Sequence, residues 1–103
     1  MWQSESGREK ISGRMPTVRF TRNIQRHVEC PTLAVTGATL REVFDAYFET
    51  NARARGYVLD DRGHLRQHMA AFIDGEQITD REQLSDRVPD DAVIDVVQSL
   101  SGG

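Results

Sequence analysis

The residues with the greatest chemical potential stand at the end of the chain, Ser99-Leu100-Ser101-Gly102-Gly103. A carboxylate is a poor acylating group until it is activated, usually as a mixed anhydride with AMP, and an activating enzyme reaches a terminal carbonyl only through a narrow channel. Two glycines without Cβ atoms thread such a channel at low steric cost. Once activated, the Gly103 carbonyl can accept sulfur as a thiocarboxylate or an amine as an amide. A terminal Gly-Gly arises by chance in about one chain in 200, so its placement matters: it follows the last strand-like run without a linker.

Other constellations are weaker. His27, His64 and His68 show none of the close ligand spacings of zinc sites, so no metal is expected. Cys30 would need a base beside it to act as a nucleophile; a small buried or edge thiol is the better reading. Asp60-Asp61 and Asp90-Asp91 could be paired acids, but adjacent acids in turns are usually solvated, and Asp74-Gly75 is turn chemistry first.

Composition sets the frame. The chain has 103 residues, 13 basic and 16 acidic side chains, a net charge of −3 and 38% hydrophobic residues. It is one small domain with no run of the ~18 apolar residues that a membrane span needs. The acidic balance argues against nucleic acid, whose phosphates demand clustered Lys and Arg. Without residues 1–14 the balance is 10 basic against 14 acidic, suited to a basic partner face. Cys30 is the only cysteine, which excludes a disulfide scaffold and fits a reducing cytoplasm. A chain of this length has little room for a deep pocket of ~300 Å³ or more, so function belongs on a face or a terminus.

Residues 1–14 are polar, interrupted by Gly7 and Gly13, and read as a disordered leader. Met15 is a candidate alternative initiator. Val18 and Phe20 alternate with polar neighbours as in a half-buried strand. Residues 22–26 read as a turn and residues 27–35 as a second, irregular strand, with Pro31 marking an edge. Thr39 and Glu42 form a capping box, and Leu40, Val43, Phe44, Tyr47 and Phe48 make one helical stripe that Gly56 would stop. Residues 57–66 are loop-like, Met69 to Ile73 a strand, Asp74-Gly75 a hairpin turn, and Gln77 and Ile78 its return. Residues 79–88 are a polar connection with a short helical turn around Leu84, and residues 92–97 are a final strand.

The expected order is β-β-α-β-β-β. One helix covers one face of a mixed sheet, with Val18, Phe20, Leu33, Val35, Met69, Ala71, Ile73, Ile94 and Val96 facing it. Phe72 and Val97 fall out of phase and face away. With Leu100 as an anchor, they would form a docking surface beside the tail.

Residues 17–103 resemble the MoaD/ThiS-type sulfur carriers. The resemblance rests on Thr39-Leu40-Arg41-Glu42-Val43-Phe44, on Met69-Ala70-Ala71-Phe72-Ile73-Asp74-Gly75-Glu76 and on Leu100-Ser101-Gly102-Gly103. Gly63-His64-Leu65 is similar to the carriers that feed cysteine synthesis. Val97, Gln98 and Ser99 differ from the aromatic or proline residues usual before the tail of molybdopterin-synthase small subunits.

The resemblance implies an α+β, ubiquitin-like β-grasp fold: about five strands on one main helix. Residues 1–14 would be the leader, 15–98 the domain and 99–103 a flexible functional tail. It implies a cytoplasmic, monomeric carrier that is not an enzyme, holds no cofactor and binds neither nucleic acid nor membrane. A ubiquitin-activating-type enzyme would use ATP and Mg²⁺ to adenylate Gly103, with Gly102, Ser101 and Leu100 threading its channel. A sulfur donor would then give the thiocarboxylate, delivered to an acceptor enzyme making cysteine, thiamine, molybdopterin or another sulfur metabolite. Gly103 is already terminal, so no protease is needed. Two alternatives remain: a ubiquitin-like modifier conjugated through Gly103, or a β-grasp binding module with an inert tail. Lys10 is the only lysine of the 13 basic residues, so the globular part has no side-chain amine on which to build isopeptide chains.

Overall fold

The computed structural model describes residues 15–98. Residues 1–14, expected as a leader, and residues 99–103, expected as a tail and including Leu100, Ser101, Gly102 and Gly103, lie outside the described residues. In chain order the elements are β1 (Thr17–Phe20), α1 (Arg22–Gln25), β2 (Leu33–Ala34), α2 (Leu40–Thr50), α3 (Ala52–Val58), β3 (Met69–Ile73), β4 (Glu76–Gln77) and β5 (Val93–Gln98). The sheet order is β2-β1-β5-β3-β4, so the last strand is central. It runs parallel to β1 and antiparallel to β3.

The stripe on α2 behaves as its spacing dictates: Leu40, Val43, Phe44, Tyr47 and Phe48 are all buried. Burying a side chain of this size contributes about 1.5–3 kcal/mol over leaving it in water. Val18, Phe20, Met69, Ala71, Ile94 and Val96 meet them from the sheet. Phe20 and Phe48 flank the Tyr47 ring, with centroids at 5.2 and 5.4 Å.

Every early amide of α2 has a partner. Leu40 N–H donates to the Asp86 carbonyl (3.0 Å) and Arg41 N–H to that of Leu84 (2.9 Å). Glu42 N–H donates to Thr39 Oγ1 (3.3 Å). The return half of the box is displaced by one residue: Glu42 Oε1 accepts from Ala38 N–H at 2.8 Å rather than from Thr39. The chain enters through Gly37, where a Cβ would meet Val43 N at 2.7 Å, so the backbone approaches too closely for any side chain.

The structure corrects several local expectations. Residues 22–25 form a helical turn rather than a simple turn, because Ile24 is fully buried and pulls the segment against the core. The second strand shrinks to Leu33–Ala34. Leu33, expected in the core, is 36% exposed, because it stands on a two-residue strand at the edge of the sheet with a neighbouring strand on one side only. Val35 and Ile73 are only partly buried. Gly56 does not stop a helix. Instead α2 ends at Thr50, and α3 continues through Gly56 because Ala54 and Val58 bury its inner face.

Residues 79–88 hold no helix. Leu84 is buried there with a left-handed φ of 56°, fixed by its carbonyl bond to Arg41. Asp74 and Gly75, with φ of 52° and 86°, make the tight turn between β3 and β4 that the Asp-Gly pair foretold.

Two substitutions test this account by thermal unfolding. Thr39→Ala removes the cap of α2 and should cost about 1 kcal/mol. Gly56→Ala should add about 0.4–1 kcal/mol by restricting the unfolded chain, since nothing lies within 4 Å of the new methyl.

Candidate functional site

The site is built on the outer face of the sheet and on the end of β5. Strand alternation turns Ile94 and Val96 inward, leaving Val93, Asp95 and Val97 on the opposite face. The registers bring Arg19 and Phe72 to either side of Asp95, and Ala70 beside Val97. Phe72 and Val97 therefore face away from α2, as their phase predicts. They are half-buried and share an open depression of about 520 Å³ with Arg19, Thr21, Thr32 and Asp95.

Between these apolar groups lies a bidentate ion pair. Arg19 Nε donates to Asp95 Oδ1 at 2.8 Å and Nη2 to Oδ2 at 3.1 Å. The hydrogen bond and charge of Asp95 raise the guanidinium pKa further. Alternation marks Arg19 as outward-facing, but the partner 76 positions away is visible only once β1 and β5 are known to be neighbours.

The last described residue is held from two directions. Gln98 pairs with Met69 in the sheet, and its side-chain Oε1 accepts from Asn23 Nδ2 of α1 at 3.0 Å. Gln25 Nε2 ties the same helical turn to the Phe20 carbonyl at 2.7 Å. Residues 99–103 thus follow directly from the most strongly supported strand. The Asn23 contact joins a helical turn to a strand end far along the chain, and no local pattern announced it.

Behind this end, residues 79–88 act as a brace. Arg81 Nη2 donates to the carbonyls of Arg66 and Met69, both at 2.7 Å, anchoring the start of β3 where it pairs with Gln98. Two aspartates hold the brace together. Asp80 accepts from the Ser85 hydroxyl and from the N–H groups of Gln83, Ser85 and Glu82. These donors lower its pKa from 3.8 to about 2, the Ser85 hydroxyl contributing most. Desolvation pushes Asp86 upward, but the Thr79 and Asp80 amides and the Thr79 hydroxyl outweigh it and leave its carboxyl below the ordinary value.

The remaining candidates are structural. Cys30 is 3% exposed, and desolvation raises its thiol pKa. The His27 ring stacks on Tyr57 at 5.8 Å. Burial pushes the Tyr47 phenol well above its usual range, and it donates to the Pro31 carbonyl. Asp60 Oδ1 accepts from the amides of Arg62 (2.9 Å) and His64 (3.0 Å), so it shapes a turn. No three or more His, Cys, Asp or Glu residues come together in a metal-binding group among the described residues.

Comparison with solved structures places this geometry. Small archaeal modifier protein 1 (SAMP1) from Haloferax volcanii superposes with a TM-score of 0.71 and 18% identity, covering 86% of this chain and 99% of that one. A chain of the Amycolatopsis orientalis BexX/CysO complex gives 0.71 and 17%, covering 85% and 99%. This is a ubiquitin-like β-grasp fold. Urm1 from Trypanosoma brucei shares it with a TM-score of 0.62 and 15% identity, covering 87% of this chain and 96% of its own. No family model and no curated protein matches the sequence. The β-grasp domain is thus recognised by its architecture, and no described helix is long and apolar enough to cross a membrane.

The brace makes the domain acid-sensitive in a defined direction. Asp80 has a lowered folded pKa, so its stabilising effect is complete above about pH 4 and is lost as pH falls through about 2. Asp80→Asn should be less stable than wild type at neutral pH, with the two urea midpoints converging as pH approaches 2. A constant offset down to pH 2 would show that the carboxylate charge is not involved.

Proposed function

We propose that this chain is a sulfur carrier whose working group is the Gly103 carboxylate. A ubiquitin-activating-type partner would use ATP and Mg²⁺ to convert it to the acyl adenylate, releasing pyrophosphate. Hydrosulfide from a sulfur donor then attacks the carbonyl: a C–S bond forms, the C–O bond to AMP breaks, and AMP leaves. The resulting thiocarboxylate is passed to an acceptor enzyme making cysteine, thiamine, molybdopterin or another sulfur metabolite. The chain acts as a co-substrate rather than a catalyst, and it holds no cofactor in this reading.

The observation that carries the proposal is the run of the central strand: β5 is anchored to Gln98, and five residues later the sequence ends in Gly102-Gly103. Gly102, Ser101 and Leu100 would thread the partner's channel, while Phe72, Val97 and Leu100 would dock its surface. The likeness to a chain of the BexX/CysO complex supports the same class of role. A cytoplasmic setting follows from the chemistry proposed.

A second reading has its own support, because three of the similar structures are of small archaeal modifier proteins. In that case Gly103 would form amides with lysines of other proteins. The domain has no lysine of its own, and Lys10 stands alone in the leader.

Intact mass after incubation with ATP, Mg²⁺, an adenylating partner and sulfide separates these readings. A carrier gains one oxygen-to-sulfur increment, abolished by deleting Gly103, whereas a modifier gives covalent adducts on other proteins. An unchanged mass with a competent partner would refute the carrier. Phe72→Asp with Val97→Asp should keep the native circular dichroism spectrum and lose the increment.

A further inference from the structure

The two ends of β5 carry opposite charge. At its start, Asp74 Oδ1 accepts from Val93 N–H at 2.9 Å, and Asp91 and Glu76 stand in the adjoining segments. At its end the neighbours are basic. Arg22 and Arg26 flank Asn23, whose amide binds Gln98, and His27 follows with its ring on Tyr57. Tyr57 and Gln98 line a depression of about 250 Å³ with Gly56, Arg66 and His68. Arg53 lies one turn before Tyr57 on the same face of α3.

Most other arginines have assigned roles: Arg19 pairs with Asp95, and Arg41, Arg66 and Arg81 grip backbone carbonyls. The side chains of Arg22, Arg26 and Arg53, like those of Arg55, Arg62 and Arg87, make no hydrogen bond or ion pair among the described residues; the first three are the ones set around the end of β5. Asp60 and Asp61 border Arg62 and Arg66, and Glu29 and Glu49, close in sequence to Arg26 and Arg53, form no ion pair with them, so Arg22, Arg26 and Arg53 keep their charge unpaired among the described residues. An acidic chain therefore presents a positive collar where its tail begins.

We propose that this collar docks on an acidic protein rim around the opening that receives the tail. The inference deepens the sulfur-carrier reading by naming the chemistry of the partner surface. It also reverses the simplest reading of the net charge, which favoured a basic partner face. With the acidic pole at the far end of β5, the field of such a rim turns the domain tail-first during approach. Nucleic acid fits less well: the aromatic at this end, Tyr57, is half-buried and stacked on His27 rather than open to a base.

The full-length, ¹⁵N-labelled chain is titrated at low salt with deca-glutamate and, separately, with an oligothymidylate of equal charge. Deca-glutamate should shift the amides of Arg22, Arg26, His27, Arg53, His68 and Gln98. The triple variant Arg22→Glu, Arg26→Glu, Arg53→Glu should weaken binding by at least about tenfold, while Glu76→Lys leaves it unchanged. The three arginine side chains are exposed and make no hydrogen bond or ion pair in the described fold, and a thermal melt verifies that it persists. Shifts centred elsewhere, equal affinity in the triple variant, or tighter binding of the oligothymidylate would each overturn the proposal. The titration needs no acyl transfer, so its failure is distinguishable from a failure to form the thiocarboxylate.

Discussion

The domain depends on the insertion of β5 between β1 and β3. Residues 93–96 lie beside residues 17–20 in parallel and beside residues 71–73 antiparallel, so one strand completes the pairing of both neighbours. The pairing with β1 joins segments from opposite ends of the domain, and its loop-closure entropy is recovered only when Ile94 and Val96 reach the α2 stripe. The same insertion aligns Arg19 with Asp95, sets Phe72 beside them and fixes Gln98. Core, outer face and tail root are thus consequences of one register.

The rest of the molecule defends that register. Residues 79–88 satisfy the first amides of α2 through the Asp86 and Leu84 carbonyls, while Arg81 holds the start of β3. Asp80 and Asp86 keep this segment folded through hydrogen bonds to its own amides and hydroxyls rather than through ion pairs. A connection without helix or strand therefore joins the two layers on which the end of β5 rests.

What was legible in the sequence was what repeats locally. The α2 stripe and the alternation in β3 and β5 declare which residues are buried, because each period is read within a few positions. The Asp74-Gly75 turn was equally plain. Residues 22–25 were not, since Ile24 is their only buried apolar residue and Thr21 provides no side-chain cap. Nor was α3, where Gly56 suggests a stop and only burial of Ala54 and Val58 sustains the helix. Leu33 shows the opposite failure: an apolar residue in phase with the core sits on the sheet's edge strand and stays partly exposed. On the candidate site, phase alone turned Phe72 and Val97 outward, but the Arg19–Asp95 and Asn23–Gln98 contacts depend on which strands and helices become neighbours.

The burial of Cys30 has a consequence for any acyl chemistry at Gly103. Activated acyl groups exchange readily with thiolates, and an exposed cysteine would let one copy capture the acyl group of another as a dead-end thioester. Here the sole thiol is enclosed by the core and, with its pKa raised, holds its proton more tightly than a free cysteine. The domain is therefore chemically quiet toward its own terminus, leaving the choice of acceptor to whatever it meets.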